Sequence, residues 1–150
     1  MTGFYTMLDT MRDELLDSPF VNTVTYGAID RVDLNKRTMF PLSHFIVNGV
    51  EYDTNVLTYD ISLICMDIVD ITNEDVDDVF VGNNNEHDVF NTQQAVIVRV
   101  LDKLSNGDLY DSKYQLQGNP SLEPFVDRFE NRLAGWTVTF TIQVLNDMSC

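Results

Sequence analysis

Between Ile71 and Asn91 the chain reads ITNEDVDDVFVGNNNEHDVFN. This sets Glu74, Asp75, Asp77, Asp78, Glu86 and Asp88 around an asparagine triplet and His87. Carboxylates at this density suit three kinds of chemistry: hard-cation binding, general acid–base work, or charge-guided docking. An EF-hand calcium loop needs glycine at its sixth position and glutamate at its twelfth. Counted from Asp70, those positions hold Asp75 and Val81; counted from Asp75, the sixth is Phe80. Both registers fail, which leaves only an irregular divalent-ion site open. A zinc centre fits no better, because His44 and His87 are the two histidines and neither stands in paired-ligand spacing with Cys65 or Cys150. We expect His44 to be a surface or interface residue and His87 to be solvated. With 24 acids, carboxylate pairs are guaranteed, yet none is singled out. The chain has no glycine-rich phosphate loop, nucleophile elbow or Cys–His signature. The residues therefore predict no enzyme and no cofactor.

A plainer reading accounts for more of the stretch. Glu86 and Asp88 stand where a helix would begin, and negative charge there complements the helix dipole. Gly82 and Asn83 to Asn85 accept turn geometry. The apolar triplet Val79, Phe80 and Val81 is out of place in a solvated loop. It either folds onto its own core or enters a neighbour's surface.

The elements that must position these groups follow from periodicity. Phe4, Leu8, Met11 and Leu15 recur at helical steps, predicting a helix over about 3–17 that stops at Ser18-Pro19. The run Phe20 to Gly27 is rich in β-branched residues and predicts a strand. Residues 28–42 read mostly as a long loop. A hairpin follows, with one arm from about His44 to Tyr52 and a turn at Asp53-Thr54-Asn55. In its second arm Leu57, Tyr59, Ile61, Leu63 and Cys65 alternate with polar residues. That alternation changes phase at Ile64, Met66 and Ile68, which predicts a bulge or a strand end covered on both faces. A second long loop spans about 71–88. Val89, Val96, Ile97, Val100, Leu101 and Leu104 predict a helix over about 88–106, with Gly107 as its cap. A short extended YQLQ follows. The stretch EPFVDRFENRLAG reads as a strand begun by Pro124 and parted by Gly135 from the alternating run Trp136 to Val144. Trp136 is expected in the core. The whole is one α+β domain over 1–150, a mostly antiparallel sheet packed with two main helices.

Composition narrows function further. At 150 residues with 44% apolar content the chain can bury a sizeable core. Nine Lys and Arg against 24 acids give a net charge of −15, which disfavours free nucleic-acid binding. No apolar run nears the roughly 20 residues a membrane-spanning helix needs. The opening MTGFYTMLDTMRDELL shows no export signal, so synthesis in a cytoplasm is expected.

Four phrases, VNTVTYGAIDRVDLNKRTMFPLSHFIVN, ICMDIVD, NTQQAVIVRVL and EPFVDRFENRLAGWTVTFTIQVLND, together resemble small virion proteins of tailed phages infecting Bacteroidetes, crAss-like phages included. These form head–tail connector or tail rings, and the element order is similar to the tail-completion and tail-terminator fold. The resemblance implies a structural protein of the virion neck or tail, made in the host cytoplasm. It would form a closed ring whose channel passes DNA without specific binding. Its partners would be copies of itself and adjacent portal, neck or tail rings. The candidate interface residues are Arg31, Lys36, Arg37 and Phe40 on one loop and Asp75, Asp77, Asp78, Val79, Phe80 and Val81 on the other. Arg128 and Arg132 are expected to pair with acids of a neighbour. The alternative is a small acidic protein-binding module, assisted or not by a divalent ion. A hydrolase with an unmarked carboxylate pair ranks third.

Overall fold

The computed structural model describes residues 4–27, 40–69, 86–106, 114–118, 120–128 and 132–145. Its elements, in chain order, are helix α1 (Phe4–Leu16), strands β1 (Thr23–Tyr26), β2 (Leu42–Tyr52) and β3 (Val56–Ile68), helix α2 (Glu86–Asn106), and strands β4 (Tyr114–Gln117), β5 (Leu122–Arg128) and β6 (Arg132–Leu145). The architecture is α+β, with six strands in one mostly antiparallel sheet and two helices.

The two longest strands are its axis. Over β3, Leu57 to Cys65 alternate buried with half-buried residues, and on β6 Val138 to Val144 alternate buried with half-buried or exposed ones. The two pair antiparallel without interruption from Val56↔Leu145 to Ile68↔Leu133. Residues directly opposite share a face, so the apolar members of both strands stack on one side. There they meet Met7, Met11 and Leu15 of α1 and Val96, Ile97, Val100 and Leu104 of α2. Met7 is buried one turn before Met11, which widens the apolar stripe beyond the four residues that periodicity marked. The other edge of β6 is shared, with β5 pairing its first half and β4 its second.

The phase change in β3 has the second of its two expected causes. Ile64, Met66 and Ile68 turn to the reverse face and join Phe40, Leu42, Leu133 and Phe125 in a separate cluster. This end of the strand is covered on both sides. The bulge lies instead in β2, where the register with β3 shifts between Val47 and Gly49.

Three expectations need correction. Gly135 does not separate two strands but lies inside β6, opposite Met66. A β-carbon there would collide with the Cys65 carbonyl and sit 2.8 Å from Met66 Cα, so the position needs glycine for close backbone approach. The first strand is shorter than Phe20–Gly27, beginning at Thr23 after Val21 N bonds Ser18 O at 3.2 Å. Finally, α2 begins at Glu86, two residues early. Gly107 lies outside the described residues.

The helices are tied by charge. Arg99 donates to the Glu14 carbonyl and to Asp17 Oδ2, both at 2.7 Å, and Lys103 lies 3.0 Å from Glu14 Oε2. At the other end of α2, Trp136 Nε1 donates to the Phe90 carbonyl at 2.8 Å, and the two rings meet edge to face. Between these ties sits Gln93, 1% exposed, with no hydrogen-bond partner among the described residues for either side-chain amide atom. Burying an unpaired amide costs on the order of 1–3 kcal/mol. Gln93→Met should therefore raise the unfolding free energy by about 1–2 kcal/mol, read from a urea denaturation midpoint.

Candidate functional site

The sheet's two faces differ in kind. One is covered by the helices; the other, beyond the Phe40–Leu42 cluster, is a ladder of hydroxyl, amide and carboxylate groups. On β3 these are Thr58, Asp60 and Ser62, and on β6 Thr139, Thr141 and Gln143, placed opposite one another by register. Asn48 Nδ2 donates to Ser62 Oγ at 2.8 Å, and Ser62 Oγ lies 3.1 Å from Thr139 Oγ1. This linked row spans three strands. Beside it opens a groove of about 600 Å³, bordered by Gly49, Glu51, Thr58, Asp60, Gln117 and Thr141. Its charge is negative. Among the described side chains the cations are Arg12, Arg99 and Lys103, all on helices.

The bulge in β2 decides what lies at the groove's rim. Before it, Phe45 and Val47 face the helices; after it, Val50 stands opposite Tyr59 and Tyr52 opposite Leu57, so the even positions take that face. Glu51, opposite Thr58, turns to the groove. Strand β1 pairs β2 only from Leu42 to Phe45. From Ile46 to Tyr52 no described strand pairs with the outer edge of β2. Val50 is 49% and Tyr52 78% exposed. An aromatic group adjoins them. Phe4 lies 6.4 Å from both Tyr5 and Tyr26 and 6.5 Å from Tyr59, ring centre to ring centre, and Tyr5 is 82% exposed.

The residues singled out for chemistry divide clearly. His44, expected at the surface, is 0% exposed. Its Nε2–H donates to the Gly27 carbonyl at 2.7 Å, and its Nδ1 lies 2.6 Å from Thr25 Oγ1, which donates to it. Burial lowers its pKa below the ordinary histidine value, against a smaller upward pull from the Gly27 carbonyl. His44 is therefore a neutral clip between β1 and β2. His87 is exposed on the first turn of α2, as expected. Cys65 is fully buried beside Ser43 Oγ at 3.4 Å, and burial pushes its thiol up to about 12, far from a reactive thiolate. Among the described residues no three His, Cys, Asp or Glu groups are placed to hold a metal ion.

Of the candidate interface residues, Phe40 is 8% exposed and packs against Leu42, Met66 and Leu133 of its own chain. That corrects its place as a free contact residue, because the reverse-face cluster already uses its ring. Arg128 ends β5 and Arg132 begins β6, opposite one another in register at one end of the sheet. Arg31, Lys36, Arg37, Asp75, Asp77, Asp78, Val79, Phe80 and Val81 lie outside the described residues. The open edge of β2 escaped sequence reading. Its available signal was the pair Val50 and Tyr52 beside Asn48-Gly49, a combination that marks a bulged strand with apolar residues after the bulge. No protein-family model matches the chain, and neither does any curated protein.

Proposed function

We propose that the chain is a structural virion protein, the protomer of an oligomeric ring in the neck or tail of a tailed phage. It acts by assembly and transforms no substrate. The resemblance in four phrases motivates this reading, and the observation that carries it furthest is the two-sided sheet. One face carries the apolar core beneath α1 and α2, while the other offers hydroxyls, amides and the carboxylates of Asp60 and Glu51 with no described cation among them. Such a wall gives passing DNA nothing to neutralise its phosphates, so the polyanion slides without sticking. Ring closure uses heterologous contacts, with different patches meeting on each protomer. The basic residues Arg31, Lys36 and Arg37 and the acidic residues Asp75, Asp77 and Asp78 are the proposed pair.

Reversing Arg31, Lys36 and Arg37 to Glu should abolish ring formation while leaving the circular dichroism spectrum and melting temperature close to those of the parent. Rings that persist in the triple variant would refute the pairing. The second reading, a small acidic module that binds a basic protein, is favoured by one feature: the outer edge of β2, which no described strand pairs from Ile46 to Tyr52.

A further inference from the structure

We propose that the outer edge of β2 from Ile46 to Tyr52, with the groove beneath it, binds an extended peptide segment in which basic and apolar residues alternate. The occupant adds as a seventh strand. Three observations specify it, and none depends on the virion reading.

The first is the open edge. A strand edge presents unpaired N–H and C=O groups and is a template for another chain unless something blunts it. On β5 the strand carries Pro124, a residue that natural edges use to stop pairing. The Ile46–Tyr52 segment carries no proline, and beyond its bulge between Val47 and Gly49 the strand runs on in regular pairing with β3 through Val50, Glu51 and Tyr52. The second is the difference between the two sides of that edge. Successive residues of an added strand would point alternately to opposite faces of the sheet. On one face they would meet Glu51 and Asp60 in a groove without described cations. On the other they would meet Val50 and Tyr52, with Tyr5 and Tyr26 beyond. The third is charge. Carboxylates on one side only select lysine or arginine at every second position, and the aromatic side selects apolar residues between them. In strand addition the main chain supplies affinity while alternate side-chain pockets supply specificity.

The test uses the full-length chain and three labelled heptapeptides with capped ends. One alternates, Lys-Val-Lys-Val-Lys-Val-Lys; one has the same composition in blocks, Lys-Lys-Val-Val-Val-Lys-Lys; one is the alternating peptide with its central valine replaced by proline. Fluorescence anisotropy gives affinity, and amide chemical shifts give location. The alternating peptide should bind at least about tenfold tighter than either control, shift the amides of 46–52, and lose that advantage in Glu51→Lys and in Asp60→Lys. Equal binding of all three peptides would mean charge alone acts and would overturn the proposal. So would shifts confined to other residues. If those amides shift with protein concentration and no peptide present, a second copy holds the edge and the proposed occupant is wrong. Ring formation is read separately, from the mass of the chain alone, so the two readings can fail independently.

Discussion

Gly135→Ala should lower the unfolding free energy by about 3–5 kcal/mol, a size reached only by a few mechanisms such as forced backbone displacement. The added methyl would strike the Cys65 carbonyl and stand 2.8 Å from Met66 Cα, both backbone groups of the central strand. A flexible side chain could swing away, but β3 is held by β2 on its other edge and cannot retreat without breaking that pairing. Domains of this size are stable by about 5–15 kcal/mol, so the variant would melt far earlier or populate unfolded chain at room temperature. Gly49→Ala is the control. It adds the same methyl into open space on β2, beyond that strand's pairing with β1, and should change stability by less than about 1 kcal/mol. Equal midpoints for Gly135→Ala and the parent in urea would show that the β3–β6 approach is wrong.

His44→Ala should cost about 2–4 kcal/mol, because it opens a cavity in a fully buried site and leaves the Gly27 carbonyl without its donor. The same residue imposes a pH dependence whose sign follows from its lowered pKa. The unfolded chain takes up a proton on this imidazole near the ordinary value of about 6.5, while the folded chain resists until lower pH. Between those two values the unfolded state binds more protons, so stability falls as pH falls. The contribution is complete above about pH 7 and is lost on acidification through the folded pKa. Urea midpoints compared at steps between about pH 7.5 and pH 5.5, above most carboxylate titration, should decline in the parent. They should decline less in His44→Gln, whose amide can donate to Gly27 but does not titrate. Parallel declines in both would assign the effect to other groups.

How much of this was legible depends on whether a feature is local in sequence. The alternations of β3 and β6 announce half-buried strands because their period of two is a property of neighbouring residues. The stripes of α1 and α2 are visible for the same reason, whereas the single strand read over EPFVDRFENRLAG holds only in part, because β5 ends at Arg128 and Arg132 to Gly135 belong to the antiparallel β6. Gly135 misleads because glycine punctuates strands more often than it allows two strands to touch, and only pairing with Met66 separates the two uses. His44 misleads because its partners, Thr25 and Gly27, come from a strand 17 to 19 residues earlier that runs parallel beside it. Nothing near His44 in sequence signals that enclosure. That no described strand pairs β2 beyond Phe45 is a consequence of strand order, which periodicity does not encode. The acidic residues between 70 and 85 lie outside the described residues, and their proposed contact with a neighbour rests on charge and on the triplet Val79, Phe80 and Val81.

A net charge of −15 makes copies of this chain repel one another, and the ring reading requires specific contacts to overcome that repulsion. Native mass measurement of the purified full-length chain tests this most directly. At about 0.15 M salt, where charges beyond roughly 8 Å are screened, it should show one closed oligomer of fixed stoichiometry. A chain that stays monomeric across the accessible concentration range, or that grows without a fixed size, would contradict the account.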